Sequence, residues 1–130
     1  MAYDSQSNAS ICNASICMEG GKRLTGTVRI QGSKNAALPV LAASVLIPDT
    51  CVFQNVPYIT DIGCMENLLR STGAVLEKRE AVRELCIDAR NIREYRLPAR
   101  YVSAMRSSVV LMGALLGRIG EALVDYPGGC

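Results

Sequence analysis

Gln31-Gly32-Ser33-Lys34-Asn35-Ala36-Ala37-Leu38-Pro39 lies where one kind of pattern gives way to another. Before it, Leu24 to Ile30 alternates apolar and polar residues, the pattern of a half-buried strand. After it, an apolar run reaches Ile47. Pro39 is tolerable only near a first helical turn, so the helix must begin close to Asn35 or Ala36. A glycine, a hydroxyl, a cation and an amide therefore gather at a strand-to-helix junction. Unpaired backbone N–H groups and the positive end of the macrodipole collect there, equivalent to about half an elementary charge. With Lys34 added, the junction suits a phosphate or a carboxylate. A plainer reading stands beside it: Ser33 only caps the helix, and Lys34 is solvated.

Working outward, the helix of about 35–47 is apolar on nearly every side and rich in alanine, so it belongs inside, closely packed. Pro48-Asp49 ends it. Cys51–Gln54 reads as a short strand and Asn55-Val56-Pro57 as a turn. Thr60 or Asp61 can cap a second helix of about 62–71, with Gly73 as its stop. Its apolar set, Ile62, Met65, Leu68 and Leu69, has helical spacing. Residues 74–77 and 84–88 read as a hairpin across the charged loop 78–83. Cys64 and Cys86 fall among apolar neighbours, as packing thiols do. A third helix, about 101–118, is rich in small residues, and only Arg106 interrupts its apolar run. A buried guanidinium without an anion is very costly. Arg106 therefore either faces water or binds a carboxylate or phosphate. Glu121–Asp125 then reads as a strand, and Tyr126–Cys130 as a loop. Lys34 and Arg106 each stand near the head of an apolar helix followed by a short strand, a faint internal repeat.

Composition narrows the chemistry. The chain has 130 residues, 49% hydrophobic and 20% charged, as one globular domain requires. A formal net charge of +2, scattered Lys and Arg and few aromatics give no footprint for nucleic acid. There are six cysteines and no histidine. No Cys-x-x-Cys pair exists, so a zinc site is not expected, nor any other metal or cofactor. No apolar stretch reaches the roughly 20 residues that span a bilayer, so no membrane is expected. The first 18 residues hold a direct repeat, Asn8-Ala9-Ser10-Ile11-Cys12 and Asn13-Ala14-Ser15-Ile16-Cys17, and read as a loose tail. They lack the basic region and apolar segment of a secretion signal, so a cytoplasmic location with free thiols is expected.

These residues resemble a known family. Gly21 to Val28, Gly32 to Pro39, Gln54 to Pro57, Ile87 to Arg90, Met105 to Ser108 and Pro127 to Cys130 look like the UDP-N-acetylglucosamine 1-carboxyvinyltransferases, the enolpyruvyl transferases of peptidoglycan synthesis. The resemblance covers about residues 19–130. Asn35 and Cys130 favour this branch over the shikimate-pathway enolpyruvyl transferases, which typically carry serine after the lysine and lack the loop cysteine. The fold it implies is α/β: an incomplete inside-out α/β barrel, with buried helices and outer mixed sheets. Residues 19–32 would form a strand of the opposite domain. Residues 33–130 would make less than two of the three repeats of one domain, so this is read as an N-terminal fragment.

The reaction implied moves the enolpyruvyl group of phosphoenolpyruvate to the 3-hydroxyl of UDP-N-acetylglucosamine. By that resemblance Cys130 is the acid, and Lys34 and Asn35 contact phosphoenolpyruvate. Arg106 would lie at the substrate site, where its planar fork suits anions. The short chain is expected to be inactive without the rest of the enzyme. A non-catalytic module binding a nucleotide sugar or a partner is the competing expectation.

Overall fold

A computed structural model describes residues 17–21 and 23–127. The repeat at 8–17, except Cys17, lies outside the described residues, as do Lys22 and the loop end Gly128-Gly129-Cys130.

The first helix, α1 (Lys34–Ala43), runs into a short 3-10 turn, Ser44–Leu46. Pro39 stands inside it. The Ser44 hydroxyl donates to the Leu41 carbonyl at 2.6 Å as the helix tightens. Leu38, Leu41, Ala42 and Val45 are buried, whereas Val40, Leu46 and Ile47 are exposed. The helix expected to be buried all round is thus buried along one side, its other apolar side facing open.

Strand β1 (Thr50–Gln54) leads through the Asn55–Pro57 turn to α2 (Thr60–Ser71). Helix α2 buries Ile62, Met65, Leu68 and Leu69, the set that helical spacing marks. Each such side chain contributes about 1.5–3 kcal/mol relative to exposure. The helix stops at Gly73, φ +102°. The Gly73 N–H donates to Arg70 O at 3.1 Å and the Ala74 N–H to Leu69 O at 3.2 Å, the paired bonds of a Schellman ending.

Strands β2 (Val75–Arg79) and β3 (Glu84–Asp88) form the expected hairpin. The sheet is antiparallel, in the order β1-β3-β2. Register places Cys51 opposite Ile87, Phe53 opposite Leu85 and Leu76 opposite Ile87, which sets these side chains on the core face. Val52, Cys86 and Glu77 share the outer face.

The expected third helix is broken. Helix α3 (Ala99–Val102) ends at a turn, Met105 is extended at φ −148°, ψ 116°, and a 3-10 turn, Arg106–Val109, leads into α4 (Val110–Ile119). Val102 and Met105 are both buried, and the buried Ser108 hydroxyl donates to Val102 O at 3.3 Å across the break. Packing of these residues overrides the helix preference of Ala104, Met105 and Arg106.

Two expected strands are absent. Residues 23–33 carry no regular structure, and Leu24, Val28 and Ile30 are 93%, 85% and 81% exposed. An alternating run needs a neighbouring ladder to become a strand, and no described strand pairs with it. Residues 121–125 contribute only a parallel bridge, Arg96 to Leu123. Helix α1 packs against both α2 and α4, and the sheet lies outside them. No helix among the described residues is long and apolar enough to cross a membrane.

Candidate functional site

The start of α1 is built by a close approach. An added Cβ at Gly32 would lie 2.3 Å from the Asn55 carbonyl oxygen. Asn55 itself is left-handed, φ +58°. Glycine is therefore needed where residues 31–33 cross the turn after β1, and that crossing aims the helix start. Ser33 is extended at φ −74°, ψ 131°, and its hydroxyl makes no capping bond. Its carbonyl accepts the Ala37 N–H at 2.9 Å. The N–H groups of Lys34, Asn35 and Ala36 are the ones with no acceptor inside the helix. Neither plain reading of this junction holds: Ser33 does not cap, and Lys34 is not simply solvated. The Lys34 ammonium lies 2.6 Å from Asp61 Oδ2 on α2.

An apolar hollow of about 200 Å³ opens beside this junction, lined by Gly32, Ala36, Val40, Phe53 and Pro57 among others. Two further hollows are more polar, one between Arg29 and the β2–β3 turn, the other between Tyr58, Gly63 and Lys78. Lys34, Asn35 and Arg106 stand in the wall of none of the three.

Each expected site residue has a definite place. Lys34 and Asn35 are the first residues of α1, both exposed. Arg106 opens the 3-10 turn before α4 and is exposed. Lys34 is in α1, and Arg106 is in the turn that leads into α4, the helix that packs on α1. Cys130 lies outside the described residues. Among described thiols, burial foremost, then Asp49 and Cys86, push Cys51 above its ordinary value. A thiol held protonated in this way is a poor nucleophile. No group of His, Cys, Asp or Glu among the described residues could hold a metal ion.

Two features had no sequence signal of their own. Asp61 reads as a helix cap, but the residue before α2 is Ile59, and no side chain caps it. Asp61 pairs with Lys34 instead. Glu66 lies among apolar residues on α2, with its side chain 7% exposed. Lys78 Nζ sits 3.1 Å from Glu66 Oε1, outside hydrogen-bond alignment, and Arg70 Nη1 sits 3.7 Å from Oε2. The Tyr58 ring flanks Lys78, its centroid 5.0 Å from Nζ. This cluster ties α2 to β2.

Residues 18–130 match the family model described as EPSP synthase (3-phosphoshikimate 1-carboxyvinyltransferase). A UDP-N-acetylglucosamine 1-carboxyvinyltransferase of Desulfosudis oleivorans is 44% identical over 115 residues, 88% of this chain and 27% of its own length. A UDP-N-acetylglucosamine 1-carboxyvinyltransferase 1 of Staphylococcus aureus is 40% identical over 116 residues, 88% of this chain and 28% of its own. The chain thus spans about a quarter of the length of these relatives. The crystal structure of the enolpyruvyl transferase NikO from Streptomyces tendae superposes with a TM-score of 0.68 at 30% identity, over 78% of this chain and 23% of that one. The α/β arrangement of packed helices and outer sheet is therefore part of an enolpyruvyl transferase fold, and the chain belongs to the EPSP synthase family.

Proposed function

We propose that this chain forms part of a UDP-N-acetylglucosamine 1-carboxyvinyltransferase, an enzyme of peptidoglycan synthesis. The observation that carries the reading is 44% identity to a relative of that name across 88% of the chain. Lys34 at the head of α1 supports it, since a cation beside free backbone N–H groups suits a phosphate. In the reaction, a proton is added to the methylene carbon of phosphoenolpyruvate while the sugar 3-hydroxyl oxygen bonds to the adjacent carbon and loses its own proton. The product is a tetrahedral ketal. Loss of a proton from the new methyl group and departure of phosphate then restore the double bond. The first step needs a placed acid. Cys130 is proposed for it: a thiol, whose ordinary pKa is about 8.5, carries a proton at neutrality in a chain without histidine. Lys34, Asn35 and Arg106 are proposed to hold the anionic substrates, placing charge where the transition state develops it.

The relatives named for the amino sugar favour this over the shikimate substrate. The chain alone spans 27% of the Desulfosudis relative, so it supplies one portion of such a site. The test joins this chain to the remaining portion of that relative and measures phosphate release from both substrates. Turnover is expected from the joined protein, abolished by Cys130→Ser and strongly reduced by Lys34→Ala, with none from the 130-residue chain alone. A folded joined protein without turnover, or one indifferent to Cys130→Ser, would refute the reading.

A further inference from the structure

Asp61 meets Lys34 across the starts of two helices. Lys34 opens α1, and Asp61 lies in the first turn of α2. Their separation of 2.6 Å is at the short end for a charge-assisted contact. The two partners are unequal. Asp61 has a short side chain, 33% exposed, fixed by its helix. Lys34 has a flexible four-carbon stem and is 50% exposed. The carboxylate therefore decides where the ammonium stands.

We infer that Asp61 is a positioning residue for Lys34, holding its ammonium at the head of α1 so that it meets a phosphate already in place. An ammonium has three N–H donors. Asp61 engages one side of it and leaves donors for an anion, and Lys34 is itself the first residue of α1, whose N–H groups the Ser33 hydroxyl leaves uncapped. With the carboxylate gone, the stem is free to wander, and its ordering must be supplied when an anion binds. Such a half-exposed pair adds little to folding, so its removal leaves the fold intact. The inference rests on the proposed role of Lys34 as a phosphoenolpyruvate contact.

The experiment uses the joined protein of the preceding test, in which the whole anion site is present, with labelled lysine. Lys34→Ala identifies the resonance. Two readouts are taken: the order of the Lys34 ε-methylene without ligand, and its shift on titration with phosphoenolpyruvate and with inorganic phosphate. Asp61→Asn should loosen the ε-methylene and weaken binding by about two- to tenfold, with the amide spectrum unchanged. Asp61→Glu should recover part of both. An ε-methylene equally ordered in the parent and in Asp61→Asn overturns the inference, whether or not an anion binds. Tighter binding by Asp61→Asn also overturns it, since the carboxylate would then be a competitor. A loosened ε-methylene with no response to either anion in any variant overturns the proposed role of Lys34, and positioning falls with it.

Discussion

At Gly32 a missing side chain does structural work. An added methyl would sit 2.3 Å from the Asn55 carbonyl oxygen, and backbone cannot yield as a side-chain tip can. Gly32→Ala should therefore cost about 1–3 kcal/mol, read as a lower urea midpoint at unchanged slope. The same residue distinguishes packing from chemistry, because the displaced segment carries the start of α1. Asp88 gives the pH prediction. The Arg90 guanidinium, and secondarily the Arg90 backbone N–H, hold its carboxyl down from 3.8 to about 2. A depressed carboxyl contributes stability above its unfolded value. That contribution is lost as pH falls from about 4 toward 2. Asp88→Asn should flatten this part of the acid limb by lowering the urea midpoint at neutral pH, while leaving the midpoint near pH 2 almost unchanged. An acid limb identical in both proteins would refute it.

Among elements, α2 carries the sharpest contrast. Glu66 is buried at a position otherwise suited to an apolar residue, with Lys78 and Arg70 alongside. Both cations are about a third or more exposed and can turn to water if the carboxylate goes. The carboxylate has no such escape if Lys78 goes. Lys78→Ala should therefore cost about 1–3 kcal/mol, part of it the lost contact with Tyr58. Glu66→Leu should stay within about 1 kcal/mol of the parent, as replacing a buried charge by an apolar side chain often does. Denaturation of both variants gives the order, and a reversed order would show that the ion cluster, not the burial, holds this face.

This contrast also marks what the sequence could reveal. Helix α2, its Gly73 stop and the β2–β3 hairpin were legible because local spacing and one left-handed glycine determine them. The break at Ser103–Met105 was not, since it follows from burying Val102 and Met105 together. Nor was Asp61, whose partner lies on another helix. Lys34 and Arg106 stood out as cations against apolar runs, whereas their relation in space depends on how α1 and α4 pack.

Across the whole molecule, the apolar surface is uneven. Val40, Leu46 and Ile47 on the α1 side, and Val110, Met112 and Leu116 on the α4 side, are exposed although both helices are strongly apolar. Helices α1 and α4 pack together, so these residues belong to neighbouring surfaces rather than scattered spots. Gly117 lets α4 approach closely, for an added Cβ would meet Leu46 Cδ2 at 2.9 Å. Contiguous apolar surface of this kind drives association in water. The isolated chain should therefore self-associate with rising concentration and bind a hydrophobic dye. Leu116 is 47% exposed and outside the core, so Leu116→Lys removes apolar surface without opening a cavity. Light scattering should show Leu116→Lys shifted toward the monomer, with its melting temperature within a few degrees of the parent. Leu111→Lys, at a fully buried position on the same helix, should unfold the chain instead. If Leu116→Lys lowers the melting temperature as Leu111→Lys does, that side of α4 is packed in solution and the face is closed.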